Sequence, residues 1–193
     1  MVKRASPQDI ACQQVLVEDN SVFSAQWSVI PSHLAIGLSP EILLDRYLAY
    51  IRHSTFSVIR PHRNPSGIEF RLLAGRLSLI SFLPPVLESD DLVLRICGGV
   101  LVQPRQCHRG ELRFSVTSGP EGTTVSLILS EYCPLILGSP EPSAFRRWLY
   151  RMTQAAIHRL VTVRFLTMLY RELAGDQAPV RVVAASMRGG RPV

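Results

Sequence analysis

The chain has 193 residues, 47% of them hydrophobic, with a positive mean hydropathy of +0.17, so it is long enough to bury a core as one domain and too apolar to be disordered. Its net charge of +6 comes from 21 basic against 15 acidic residues, and every basic residue except Lys3 is an arginine. The arginines are scattered rather than clustered, which implies a surface that weakly attracts anions and argues against a nucleic-acid interface.

Lys3 and Arg4 stand near the N-terminus with no apolar stretch behind them, so no signal peptide is expected and the cytoplasm is the expected location. Cys12, Cys97, Cys107 and Cys133 show no C-x-x-C spacing and are expected as reduced thiols, with Cys97 and Cys133 as small core residues.

Residues 14–17 read as a short strand and 18–21 as a turn. Residues 22–30 alternate, Phe23, Ala25, Trp27 and Val29 facing one way and Ser24, Gln26 and Ser28 the other, which predicts a strand whose apolar row is buried. Ser39-Pro40-Glu41 supplies a cap, a proline at the first helical position and an acidic first turn. Ile42, Leu43, Arg46, Tyr47, Tyr50 and Ile51 then recur at helical spacing as far as His53. Residues 55–59 read as a strand ended by Pro61 and the polar 63–67 loop, and 68–82 as strand with a turn or bulge at Gly75. Residues 92–103 form an apolar run bent at Gly98-Gly99. Residues 111–118 and 123–137 are alternating strands joined at Gly119-Pro120-Glu121-Gly122.

A long helix is predicted over 140–174, about 50 Å from end to end, opened by Ser139, Pro140 and Glu141 and stopped by Gly175. Phe145, Trp148, Leu149, Met152, Ala156, Leu160, Val163, Leu166 and Tyr170 share one face. Val161, Phe165, Met168 and Leu169 add apolar groups on the opposite side, so the second half needs cover from two directions: its own domain, and a second subunit or the N-terminal segment. Arg159, Arg164 and Arg171 interrupt the run too often for a membrane span. Arg159 lies within the apolar face, where it must reach the edge, pair with a carboxylate or anchor an anionic ligand. Residues 1–11 and 176–193 read as flexible tails around one domain of 12–175, with a short strand conceivable at 180–185.

The order of elements is α+β, an antiparallel sheet with its helices on one side. The run Glu111-Leu-Arg-Phe-Ser-Val-Thr, the glycine hairpin, Val125-Ser-Leu-Ile-Leu and then a long helix resembles the helix-grip superfamily of START, Bet v 1-like and polyketide-cyclase domains, over 14–174 as an order of elements. One clear helix follows the first strands where that family has two short ones, and residues 33–37 are the place for the missing turn. The resemblance implies a curved antiparallel sheet gripping the C-terminal helix, with a cavity between them. Trp27, Phe56, Phe70 and Phe114 are then expected to line it, with Tyr132 and Arg159 as its polar contacts.

The implied function is binding or carrying a hydrophobic small molecule, lipid-like or aromatic, by a homodimer. A cyclase or aromatase enzyme, or a ligand-free homo-oligomeric regulator, are the alternatives. No phosphate-binding glycine loop and no Gly-x-Ser-x-Gly elbow is present, and His33, His53, His62, His108 and His158 are far apart in sequence. No catalytic residue, metal or cofactor is therefore expected.

Overall fold

The computed structural model describes residues 6–17, 19–73, 75, 77–104, 108–138, 143, 145, 156–185, 187–188 and 191–192. The expected opening of the long helix at Ser139 and Pro140, its face at Trp148, Leu149 and Met152, and Cys107 lie outside the described residues.

Strands β1 (Gln8–Leu16) and β2 (Val22–Ile30) form an antiparallel hairpin. Asp19 closes its turn by accepting the Ser21 N–H at 2.9 Å and pairing with Arg109, and these bonds hold its carboxyl down to about 2. Helix α1 (Pro40–Ser54) starts where its sequence says, with the Ser39 hydroxyl accepting the Ile42 N–H. Its buried stripe is Leu43, Leu44, Tyr47, Leu48 and Ile51. The chain continues through β3 (Ile59–Asn64), β4 (Gly67–Leu72), β5 (Ser78–Phe82), β6 (Val86–Glu88), β7 (Asp91–Gly98), β8 (Glu111–Gly119) and β9 (Gly122–Tyr132). Helix α2 (Ala156–Ala174) and strand β10 (Val180–Ala184) follow, then β11 (Met187–Arg188) and β12 (Arg191–Pro192), a small separate pair.

One ten-stranded sheet runs in the order β10-β1-β2-β9-β8-β7-β5-β4-β3, with β6 paired to β7. The fold is α+β: a large curved sheet with a C-terminal helix packed on β1 and β2, an arrangement compatible with the expected helix grip. It is mixed rather than purely antiparallel, because β10 runs parallel to β1, with Ile10 opposite Val182. The sheet also reaches past the expected 12–175 limits at both ends. Asp9 and Arg181 are cross-strand partners, and both guanidinium bonds to the carboxylate measure 2.8 Å. The closing hairpin needs its second glycine. Gly122 has φ +144°, and a Cβ there would come within 2.6 Å of the Ile30 carbonyl oxygen.

The helices divide the sheet between them. Helix α1 packs on β3, β7 and β8, and α2 on β1 and β2. Under α1, Tyr47 meets Phe114 edge-on at 5.5 Å and Phe165 of α2 at 5.2 Å, and all three rings are buried. The buried stripe of α2 is Thr162, Phe165, Leu166 and Leu169, turned away from the face expected from sequence; Leu160 is 49% exposed. Among the described residues no helix is long and apolar enough to cross a membrane.

Residues 55–58, expected as strand, are instead a turn that closes α1. The Ser57 N–H reaches the Arg52 carbonyl and the Phe56 N–H the His53 carbonyl, the paired bonds of a Schellman motif, with Phe56 at φ +51° in the position that usually holds glycine. Strand β3 then runs straight through Pro61, which it tolerates as the sheet's edge.

Candidate functional site

Cross-strand register fixes which side chains face the helices. Gln26 is opposite Leu127, Leu127 is opposite Phe114, and Phe114 touches α1. Ser24, Gln26 and Ser28 therefore face inward. The apolar row of β2 is on the other surface, where Ala25 and Trp27 cluster with Ala11, Phe23, Ile128 and Val183. The alternation in β2 is as the sequence reads, but the buried row under the helices is the polar one.

That row is a polar strip inside an otherwise apolar layer, bonded in two separate groups. Ser24 and Gln26 are wholly buried and Ser28 nearly so. The Gln8 amide donates to the Ser28 hydroxyl at 2.8 Å, and that hydroxyl donates to the Asp9 carbonyl at 2.7 Å. The Gln26 amide nitrogen donates to the Ser24 hydroxyl at 2.9 Å and lies 3.5 Å from the buried Cys12 sulfur. The other end of this amide, Gln26 Oε1, is buried with no hydrogen-bond partner among the described residues. Leaving a buried acceptor unpaired costs about 1–3 kcal/mol, so the position invites a donor. Val22 and Ile30 bracket the strip in the same phase and join the core under the helices.

Helix α2 covers β1 and β2. His158 stands one turn before the buried Thr162, whose hydroxyl donates to the His158 carbonyl at 2.9 Å. Desolvation pushes the His158 imidazole down to about 4, so it is neutral at ordinary pH. Burial raises the Tyr47 phenol, which keeps its proton beside Thr162.

The six residues expected to line a cavity do not share one chamber. Phe114 is fully buried, Phe70 is half-buried against Phe82 with ring centres 5.5 Å apart, and Tyr132 is buried, all three within the core layer. The Tyr132 hydroxyl donates to the Leu101 carbonyl at 2.8 Å, which ties the 101 loop to β9. Trp27 is buried on the opposite face, beside an open cleft of about 300 Å³ that it lines with Pro7, Asp9 and Ala11. Phe56 is 93% exposed on the turn after α1, and Arg159 is exposed on α2. The lining thus loses Trp27 to an inverted strand phase, Phe56 to a helix cap, and Arg159 to the rotation of α2. Sequence reasoning passed over Gln26 because its row reads as polar. The signal that finds it is Val22-x-Ser24-x-Gln26-x-Ser28-x-Ile30, a polar row with apolar residues at both ends of the same phase.

No protein-family model matches the chain, and no curated protein matches it. Among solved structures it is similar to the crystal structure of CalU16 from Micromonospora echinospora, at 13% identity and a TM-score of 0.37, over 90% of this chain and 88% of that one. The solution structure of the same protein aligns at 12% identity and a TM-score of 0.39, over 91% and 79%. Superpositions this loose do not bear on function.

Proposed function

We propose that the chain binds a small, mainly apolar molecule carrying a hydroxyl group, seated between α2 and the β1–β2–β9 part of the sheet. The unpaired Gln26 Oε1 is the observation that carries this reading. A ligand hydroxyl donates to it, while Leu127 and the apolar side chains of α2 receive the carbon skeleton. Neutral His158 fits an uncharged ligand better than an anion. Entry requires α2 to part from β1 and β2. Exposed Ile157 and Leu160 support, as a second reading, a homodimer contact along the same helix.

Native mass spectrometry of the purified protein, compared with the same sample after denaturation and solvent extraction, tests this. An added mass that is present under native conditions and released on unfolding is the expected result. A ligand-free mass at twice the chain weight would replace the binder with the dimer, and a ligand-free monomer would contradict both.

A further inference from the structure

The far end of the sheet, away from Gln26, breaks the usual rules in another way. The turn after α1 holds Phe56 at φ +51° and Ser57 at φ +61°, and Leu73, at the end of the neighbouring strand, has φ +54°. Bulky side chains seldom occupy this region, since their Cβ crowds the backbone. Phe56 and Leu73 gain no packing in return: they are 93% and 57% exposed, with Val58 beside them at 43%. The Leu73 N–H donates to the Val58 carbonyl at 2.6 Å, which ties the two turns into one apolar tip.

Directly beside the tip is a cleft of about 310 Å³ lined by Arg52, Arg60, His62 and Arg71 together with Leu73. Arg71 pairs with Glu69 at 2.9 Å. Arg52 and Arg60 have no carboxylate partner among the described residues, whereas Arg63 on the same strand is paired with Asp45. Arginines on an edge strand also deter strand-to-strand aggregation, which accounts for Arg60 and Arg63 on β3. It does not account for Arg52 on the helix, for a cleft that gathers cations from three elements, or for a strained, exposed phenylalanine on the turn to which Arg60 is bonded through the Ser57 carbonyl.

We propose that this end of the molecule docks on an anionic membrane surface, with Phe56 and Leu73 entering the boundary between headgroups and acyl chains and the Arg52–Arg60–Arg71 cleft receiving lipid phosphate. Charge complementarity selects the occupant. A protein partner of mixed charge would leave adjacent guanidiniums uncompensated, and a soluble anion would make no use of the apolar rim. Each arginine without a carboxylate partner near such a surface strengthens binding about fivefold, and the ring of Phe56 roughly tenfold.

Co-sedimentation of the full chain with vesicles of phosphatidylcholine alone, and of phosphatidylcholine mixed with phosphatidylglycerol, tests this directly. Binding to the mixed vesicles only is expected, weakening as salt is raised. Phe56→Gly places glycine at a position that favours it, so the fold survives, and should reduce binding roughly tenfold. The double variant Arg52→Gln, Arg60→Gln should reduce it about 25-fold. Equal binding to both vesicle types, binding to neither, or full binding by Phe56→Gly would overturn the proposal. Displacement from the vesicles by inorganic phosphate, with phosphate binding by the free chain, would reassign the cleft to a soluble anion. Self-association without vesicles that disappears in Phe56→Gly would reassign the tip to a second copy.

Discussion

The two helices cover two halves of one sheet, and the halves are built on opposite logic. Under α1 the inward rows of β7 and β8 are Leu92, Leu94, Ile96, Leu112 and Phe114, and they close on Tyr47 and Phe165 with every ring edge against another. Under α2 the inward row of β2 is Ser24, Gln26 and Ser28, and it closes with an acceptor left over. The first half has the pattern of a core optimised for stability. The second retains a buried polar defect that any aliphatic residue would remove, and such defects concentrate where a protein meets a ligand.

Four outcomes sharpen or break that contrast. The largest belongs to the α1 half: Phe114→Ala should cost about 3–5 kcal/mol in denaturant unfolding, since it empties a fully buried site against Tyr47 of α1. A loss under about 1 kcal/mol would mean the aromatic layer is not the main core. The next belongs to α2. In the unfolded chain His158 takes up a proton near 6.5, but in the folded chain only near 4. Between those values the unfolded state binds more protons, so stability falls as pH drops through 6.5 and the loss is complete below about 4. Discounted for the water that still reaches a half-buried ring, the loss is about 2 kcal/mol, and His158→Gln should flatten this part of the stability profile. At the tip, Phe56→Gly should raise stability by about 1 kcal/mol, read as a small upward shift in Tm, because glycine relieves the left-handed conformation that closes α1. The smallest stability effect is expected at Gln26, and it is the most informative.

Much of the fold was legible because local signals agreed with their surroundings. Ser39-Pro40-Glu41 marked the start of α1 to the residue, and Gly119 and Gly122 marked the β8–β9 hairpin, where the two glycines are direct partners. What misled was a residue whose local chemistry and tertiary setting disagree. Phe56 looks like strand, yet two backbone bonds to the last turn of α1 hold it as a cap. Trp27 looks like the inward residue of an amphipathic strand. A sheet with apolar clusters on both faces has two insides, however, and alternation alone cannot say which one the helices cover. Residues 180–184 lack a partner in sequence and find one only when β1 is brought beside them in parallel. The candidate site was the least legible part, since a buried glutamine with one idle oxygen is defined by what it fails to touch.

The most direct test compares Gln26→Leu with the natural chain in two measurements on one sample, unfolding free energy and native mass. Removing the amide gives up the bond to Ser24, worth about 1 kcal/mol, and relieves an unpaired acceptor that costs about 1–3 kcal/mol. Anchoring of a ligand at Gln26 predicts unchanged or slightly higher stability, together with loss of the bound mass. A clear fall in stability with the bound mass retained would show that Gln26 is part of the core's own hydrogen bonding, and would contradict a ligand site on the β2 strip.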